Sequence, residues 1–321
     1  MRHLAIAAAL AAGLLAGPAL GQTYPDRNIT LVVPFPAGGI ADSGGRTIAK
    51  ALAARLGQSV IVDNKAGAGG IVGAEFVANS KPDGYTLVTA SNGVVVTYPF
   101  LFKKLSFDPQ KAFAPVHGVS ITPLMIAVRA DAPYKTLAEL IAYAKKNPDK
   151  VTFATVGQGS AHHILAELLQ KEAGMKLTHI PYKGGSQAMV DFLGGSIDVM
   201  IDYQLGLAPL VQDGKAIALG VAANERLPTM PKTPTFVEQG YKVVVSAYTL
   251  VLAPAGTPKP IVDKLAATVE DMLKDPEVIK YYADRGSIMM KGYGPAELEK
   301  FLAEERVKTK QTLDAAGIQP E

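Results

Sequence analysis

The 321-residue chain carries 32 lysines and arginines against 29 aspartates and glutamates, for a formal net charge of +3, and it has no cysteine. Disulfide bonds, thiolate nucleophiles and thiolate metal sites are therefore excluded. Basic and acidic residues are interspersed, and no basic block is dense enough to follow a phosphate backbone, so we expect no nucleic-acid partner.

The N-terminus has the three parts of a secretory signal peptide. Arg2 and His3 supply positive charge, residues 4–15 form an apolar run, and small residues precede Gln22. The apolar run is shorter than the roughly 20 residues that a transmembrane helix needs. The sequence therefore predicts a signal peptide over residues 1–21 that is removed on export to the periplasm. The mature chain, of about 300 residues, is long enough for one large or two medium domains.

Short apolar segments, Gly-rich turns and amphipathic helices alternate at the start of the mature chain. The predicted elements are strands at 29–34, 60–62 and 85–89, a turn at 35–42, a helix at 43–56, and a second helix that follows Gly70. This βαβαβ order predicts a parallel sheet with helices on both faces.

The same alternation restarts after Pro123. Thr136 and Glu139 form a T-x-x-E capping box at the start of a helix, and the pair Gly194-Gly195 ends another. The predicted elements are strands at 124–128, 151–155, 178–180 and 197–201, and helices at 137–146, 161–173 and around 189–193. A second α/β unit therefore follows the first.

The last quarter of the chain contains one long apolar strand, at 243–252, and then only helices. Thr257 is placed to cap a helix that begins at Pro258, Asp275 precedes another, and a charged helix follows Pro295. These helices have no lobe of their own, so we expect them to pack on the first. The sequence predicts two α/β lobes joined by crossings near 117–126 and 243–252. Lobe 1 would comprise residues 22–120 and 246–321, and lobe 2 residues 121–245.

Motifs for cofactor, catalytic and metal sites are incomplete. The segment 67–73 has Val72 where G-x-G-x-x-G requires glycine. Ser160 does not stand in G-x-S-x-G, and His162 and His163 lie too close to it along a helix start to act as its base. Adjacent helical histidines also point about 100° apart, so they cannot chelate one ion. We predict no cofactor, no metal and no enzymatic activity, with a secreted hydrolase using Ser160 as the alternative.

Two glycine-rich loops remain, at 36–42 and 155–160, one in each predicted lobe. Each leaves the C-terminal end of a strand and enters a helix N-terminus, where unpaired N–H groups and the helix dipole favour an anion. Glycine lets a ligand approach these groups closely. Either loop alone could be an ordinary βα turn. Together they predict a cleft in which four or five hydrogen bonds hold a carboxylate with about micromolar affinity.

Several motifs also occur together in one known family. They are VPFPAGG at 33–39 with Asp42 and Arg46, NKAGAGG at 64–70, PDGYTL at 82–87, Gly159-Ser160 with His163 and Glu167, PYKG at 181–184, residues 193–200, and APAGTP at 253–258. In this set and order, from Tyr24 to the C-terminus, the chain resembles the Bug-type periplasmic solute-binding proteins of tripartite tricarboxylate transporters. Ile40-Ala41 and Tyr248 depart from the family pattern. These departures either make the pocket more apolar or touch no solute.

The resemblance implies a type II-like Venus flytrap, in which two lobes, each a mixed or parallel sheet flanked by helices, close on the solute. The implied ligand is a small organic carboxylate, either a di- or tricarboxylate or an aromatic, terephthalate-like acid. The implied partners are a large and a small integral-membrane permease subunit, and we expect a monomer. A ligand-sensing adaptor for a signalling kinase is a further alternative that would use the same site.

The candidate ligand-binding residues come from both lobes. In this hypothesis Phe35 and Tyr98 pack on the body of the ligand, and Asp42 acts as a helix cap or binds through water. The full set is Phe35, Ala37, Gly38, Gly39, Asp42, Ser91, Asn92, Tyr98, Thr155, Gly157, Gly159, Ser160, His162 and Asp202.

Overall fold

The structure is a computed structural model that describes residues 24–316 and Pro320. The predicted signal peptide lies outside the described residues. Within them, no helix is both long and apolar enough to cross a membrane.

The first group of strands is a parallel sheet with one antiparallel neighbour. Strand β1 (Ile29–Val33) pairs in parallel with β2 (Val60–Asn64) and β3 (Thr86–Ala90), as predicted. On the other side of β3 lies β9 (Ser246–Pro254), which runs antiparallel to it. Three of the four strands therefore end at the same edge of the sheet, where the loops that follow them meet.

The 17-residue strand β4 (Phe113–Arg129) joins the two halves of the molecule. From Phe113 to Pro123 it pairs with β9, and from Leu124 onward it pairs with strands of the second group. The predicted strand at 124–128 is thus only its second half. Register shifts after Pro115 and after Gly118 accommodate an irregular pairing with β9. The lobe boundaries predicted at 120–121 and 245–246 fall inside β4 and just before β9, and they stay a prediction.

The second group of strands is a mixed sheet. Strand β5 (Thr152–Thr155) runs parallel to β6 (Thr178–Pro181) and to β7 (Val199–Tyr203). The second half of β4 lies between β7 and β8 (Ala216–Val221), antiparallel to both. The mixed α/β prediction therefore holds in both groups of strands.

The helices of the second half mostly follow the predicted bounds. They are α4 (Leu137–Lys146), α5 (Ala161–Ala173), α6 (Gly185–Leu193) and α7 (Gln204–Gln212). The capping box at Thr136 is confirmed, because its hydroxyl accepts from the N–H of Glu139 and the Glu139 carboxylate accepts in return. Helix α7 and strand β8 were not predicted.

Helix α1 (Ile40–Leu56) packs on the first sheet and begins three residues before the predicted start at Ser43. Two short helices, α2 (Ile71–Ala78) and α3 (Tyr98–Leu101), follow, the latter directly after a π-helical turn at Gly93–Thr97.

The C-terminal elements are α8 (Lys259–Met272), α9 (Pro276–Ala283), the two-residue strand β10 (Ile288–Met289) and α10 (Pro295–Ala316). Helix α8 shares a core with α1, in which Leu52, Leu265 and Val269 are fully buried. Each such side chain contributes roughly 1.5–3 kcal/mol through burial, so α8 and α1 stabilise each other. Helix α9 follows Asp275 as predicted, and the Asp275 carboxylate caps it by accepting from the N–H of Glu277. Thr257 does not cap α8, because its hydroxyl donates to the carbonyl oxygen of Pro254 and Pro258 takes the cap position.

Candidate functional site

A cleft lies between the loops that follow β1 and β5. Its wider part has a volume of about 730 Å³ and continues into a narrower inner part of about 110 Å³. The residues that line both parts come from both halves of the chain: Phe35, Ile40, Ala41, Val156, His162 and Tyr203. The starts of α1 and α5 therefore share one cavity.

The start of α1 has no side-chain cap. Gly39 occupies the cap position in an extended conformation. Gly38 has a φ of 81°, where its N–H donates to Asp42 Oδ2 over 2.9 Å. Among residues 24–316, no acceptor takes the N–H of Ile40 or Ala41, and both residues line the cavity. These two N–H groups are the donors that the first loop offers to a ligand.

Asp42 holds the first loop in place through hydrogen bonds. Its carboxylate accepts from Gly38, from Arg46 Nε over 3.0 Å and from Asn64 Nδ2 over 3.0 Å. Burial alone would raise the pKa of Asp42, but these hydrogen bonds and the Arg46 charge lower it below the usual value. Asp42 lies in the first turn of α1 and is not a cap, which corrects one of its two predicted roles. It is absent from the residues that line the cleft.

The start of α5 is capped by Ser160. The Ser160 hydroxyl donates to the carbonyl oxygen of Gly157 over 2.7 Å and accepts from the N–H of His163 over 3.4 Å. It is thus engaged with backbone groups. The ring of His163 is also engaged, because its Nδ1 accepts from the N–H of Gly159. This arrangement does not activate Ser160 as a nucleophile.

The glycine amides of the second loop already have acceptors. The N–H of Gly157 donates to Thr155 Oγ1 over 3.1 Å, and that of Gly159 to His163 Nδ1 over 3.1 Å. Within residues 24–316, the N–H groups of Ala161 and His162 have no acceptor. The donors available to a ligand are therefore the first two N–H groups of the helix, and the glycine N–H groups of the loop are not among them.

Nine of the fourteen predicted site residues line the cleft, and five do not. Gly38, Asp42, Thr155 and Gly159 are not among the residues that line it, and Gly157 lines a neighbouring pocket with Gly69. The nine lining residues are Phe35, Ala37, Gly39, Ser91, Asn92, Tyr98, Ser160, His162 and Asp202.

Tyr98 forms part of the rigid wall of the cleft. It is 1% exposed, and its hydroxyl donates to the carbonyl oxygen of Gly69 over 2.7 Å. Its ring packs edge-on against Phe102. Burial raises the pKa of Tyr98, so the hydroxyl stays protonated and keeps this hydrogen bond.

His162 and Asp202 are the buried titratable groups of the cleft. His162 is 2% exposed, and neither ring nitrogen has a partner among the described residues. Burial lowers its pKa to about 4, so the ring is neutral at pH 7. Asp202 accepts from the N–H of Tyr203 over 2.8 Å, and burial raises its pKa to about 7. Asp202 therefore carries less negative charge at pH 7 than an exposed aspartate, which suits an anionic ligand, whereas the neutral ring of His162 offers hydrogen bonding without a positive charge.

Sequence reasoning missed residues at the inner end of the cleft. Tyr281, Tyr282 and Arg285 line it together with Tyr248, which already stood out as a departure from the family pattern. The first three come from α9 and the segment that follows it, far along the chain from both loops. No local motif marks them, and only the packing of α9 on α1 brings them to the cavity.

Comparison with known proteins identifies the family. The model for the receptor family of tripartite tricarboxylate transporters matches residues 45–318. A UPF0065 protein from an intergenic region of Agrobacterium vitis is 36% identical over 316 residues, 97% of this chain and 91% of the relative.

Two solved structures are similar over nearly the whole chain. The periplasmic binding protein BugD is 36% identical with a TM-score of 0.87, covering 93% of this chain and 100% of that one. Rpa4515 of R. palustris, solved with adipate, is 30% identical with a TM-score of 0.88 over the same shares. These matches confirm the predicted resemblance and the two-lobed α/β fold. The chain belongs to the receptor family of tripartite tricarboxylate transporters.

Proposed function

We propose that this protein is a periplasmic receptor that captures a small organic carboxylate in the cleft and delivers it to a tripartite tricarboxylate transporter. The observation that carries the proposal is that two helix N-termini, one on each side, line a single cavity. The N–H groups of Ile40 and Ala41 on one side, and of Ala161 and His162 on the other, can hold one carboxylate without a charged side chain.

Ligand capture by both sides explains closure. A carboxylate that bridges α1 and α5 gains its full set of hydrogen bonds only when the two sides are close, so the ligand selects the closed state. The adipate bound to the R. palustris relative supports an organic acid as the ligand class. A large and a small permease subunit would be the membrane partners, and a cleaved signal peptide the route to the periplasm.

The direct test is calorimetry of the mature chain with di-, tri- and aromatic carboxylates, together with mass spectrometry of solute released from the purified protein. No binding of any acid at millimolar concentration would count decisively against the proposal. A secreted hydrolase predicts ester turnover that Ser160→Ala abolishes, whereas a receptor predicts no turnover. Pull-down of membrane partners separates transport from signalling.

Ala161→Pro removes one of the open N–H groups. Ala161 is the first residue of α5, where proline is favoured, and Ser160 has φ −65° and ψ 161°, which suits a residue before proline. We expect the fold to persist and carboxylate affinity to fall roughly tenfold, as for the loss of one hydrogen bond to a charged group. Ala161→Gly keeps the N–H and serves as the control. Equal affinity of both variants would show that this amide does not contact the ligand.

A further inference from the structure

The stretch of residues 281–287, the end of α9 and the segment that connects it to β10, lines the inner end of the cleft. This stretch is held from two sides. Tyr281 Oη donates to Ser43 Oγ of α1 over 3.1 Å, and the hydroxyls of Ser287 and Thr122 of β4 are 2.7 Å apart. Its position relative to α1 is therefore fixed by direct contacts.

Arg285 presents a preorganised guanidinium group to this end of the cavity. Its Cζ lies 3.4 Å from the ring centroid of Tyr281, and its Nη1 donates to the Tyr281 carbonyl oxygen over 2.7 Å. Its Nε is buried and has no acceptor among the described residues. The neighbouring carboxylate of Asp284 pairs with Lys280 instead, over 2.9 Å. The positive charge of Arg285 is thus positioned but not neutralised by its neighbour.

Tyr282 adds a neutral donor beside it. The residue is 4% exposed, and its hydroxyl has no partner in the part of the chain that the structure describes. Burial raises the pKa of Tyr282, so the hydroxyl keeps its proton. A Cβ built on Gly44 would lie 3.9 Å from that oxygen. Gly44 is four residues beyond Ile40, or about 6 Å further along α1.

Unpartnered buried polar groups concentrate on this cavity. Across residues 24–316, buried side-chain atoms without a partner belong to four residues, and three of these line the inner cleft: His162, Tyr282 and Arg285. Much of the remaining wall is apolar, with Ala90, Leu205 and Ala247 among it. Buried donors in apolar surroundings are costly unless a ligand satisfies them, and an anion satisfies both a guanidinium and a hydroxyl.

We propose that Arg285 and Tyr282 form a second anion subsite, which binds an acid group at the far end of the ligand. The inference rests on the proposed function, in which the starts of α1 and α5 hold the first carboxylate. The receptor then selects dianions whose acid groups lie about 6 Å apart, the spacing of Gly44 from Ile40 along α1. A monoanion with the same body leaves Arg285 and Tyr282 without a partner.

Matched acids test this directly. Adipate and hexanoate differ in one terminal carboxylate, as do terephthalate and 4-methylbenzoate. In calorimetry with the mature chain, we expect at least one diacid to bind roughly tenfold or more tightly than its monoacid partner. Arg285→Gln should weaken the diacid roughly 10- to 100-fold and leave the monoacid unchanged. Tyr282→Phe should weaken the diacid severalfold.

Arg226→Gln is the control, because Arg226 is a surface residue that pairs with Glu238 and does not line the cleft. It should leave both affinities unchanged. Melting curves accompany each variant. Should Arg285→Gln unfold, Arg285→Lys keeps the charge but loses Nε, and an intermediate loss of diacid affinity is expected.

The outcomes separate the two proposals. If neither acid of any pair binds, the carboxylate-receptor function itself is overturned. If mono- and diacids bind equally, or if Arg285→Gln weakens both members of a pair alike, the second subsite is overturned and the receptor function stands.

Discussion

The starts of α1 and α5 share a strand–glycine-loop–helix sequence pattern but differ in how their backbone donors are used. At α1 a carboxylate, Asp42, accepts from the loop, and no side chain caps the helix. At α5 the hydroxyl of Ser160 caps the helix, and the ring of His163 accepts from Gly159. Charged side chains, Asp42 and Arg46, thus stabilise the first loop, and neutral side chains, Ser160 and His163, stabilise the second.

Glycine has different roles in the two loops. A Cβ on Gly38 would meet nothing within 4 Å, so this residue is needed only for its φ of 81°. A Cβ on Gly159, which has a φ of 72°, would lie 2.4 Å from Leu101 Cδ1 and 2.8 Å from Tyr98 Cε1. Gly159 therefore allows the second loop to pack against α3. The two loops share one sequence pattern, but Gly38 has only a conformational role, whereas Gly159 also allows close packing.

Replacing either glycine with alanine should lower the free energy of unfolding, and the loss should be greater at Gly159. Gly159→Ala adds an overlap with Leu101 and Tyr98 to the strain of a left-handed residue, and we expect it to lower the free energy of unfolding by about 3 kcal/mol. Gly38→Ala adds the strain alone and should cost about 1 kcal/mol. Urea unfolding of both variants measures the difference. Equal losses of unfolding free energy in the two variants would contradict a packing role for Gly159.

The two buried carboxyl groups of the cleft region differ in the same way. Asp42 accepts three hydrogen bonds and has a lowered pKa, whereas Asp202 accepts one from a backbone N–H and has a pKa raised to about 7. Asp42 thus stabilises the fold above its unfolded pKa, and that contribution is lost as the pH falls through the folded value. Ionised Asp202 destabilises the fold above about pH 7, and that cost is relieved as the pH falls toward 4.

Asparagine at each position should therefore act in opposite directions at pH 8. Asp42→Asn loses a charge-assisted bond to Arg46 and should destabilise by about 2 kcal/mol. Asp202→Asn should stabilise by about 2 kcal/mol. That is less than the roughly 4 kcal/mol of a three-unit pKa shift, because the adjacent N-terminus of α7 favours the charged form.

Thermal unfolding from pH 4 to pH 8 checks both signs. The gain from Asp202→Asn should disappear near pH 4, and Asp213→Asn, at an exposed carboxylate, should stay within about 0.5 kcal/mol throughout. Carboxylate binding should also tighten in the native protein as the pH falls through 7, since protonated Asp202 no longer repels an anion. His162 stays neutral as the pH falls through 7, because burial lowers its pKa to about 4. A gain from Asp202→Asn that persists at pH 4 would contradict a raised pKa.

Local chemistry accounts for the parts of the fold that the sequence predicted. The bounds of α5 follow from a serine cap at one end and Gly174, with φ 62°, at the other. Strand β1, ITLVV, is largely apolar, and β5, TFAT, has a buried apolar centre at Phe153 and Ala154. The first half of β4 was missed because it contains Pro115 and polar residues such as His117, which weaken a strand pattern. Its strand conformation depends on pairing with β9, which is distant in the chain.

The candidate site was predictable to the same extent. Both glycine loops followed from the pattern of a helix start after a strand, and nine of the fourteen predicted residues line the cleft. The sequence pattern did not indicate which N–H groups lack an acceptor. That depends on side chains such as His163, whose ring accepts from the N–H of Gly159 in the loop. Arg285 had no signal at all, since its segment is fixed to α1 by a contact between Tyr281 and Ser43, 238 residues apart.

Alanine substitutions at two helix caps distinguish capping from ligand binding. Ser160→Ala removes the cap of α5 and should lower the free energy of unfolding by about 1 kcal/mol. Thr136→Ala removes the cap of α4, which does not line the cleft, and should cost a similar amount. The two variants are thus matched in stability and differ in location.

Carboxylate affinity then decides what the second helix start contributes. Ser160 lines the cleft, and the loss of its hydroxyl leaves the N–H of His163 without an acceptor and removes the shortest of the hydrogen bonds to the carbonyl oxygen of Gly157. We expect affinity to fall severalfold in Ser160→Ala, because the loop no longer holds the open amides of Ala161 and His162 in place, and to be unchanged in Thr136→Ala. If both variants bind as tightly as the native protein, the cap supports only the helix, and α1 alone must orient the carboxylate.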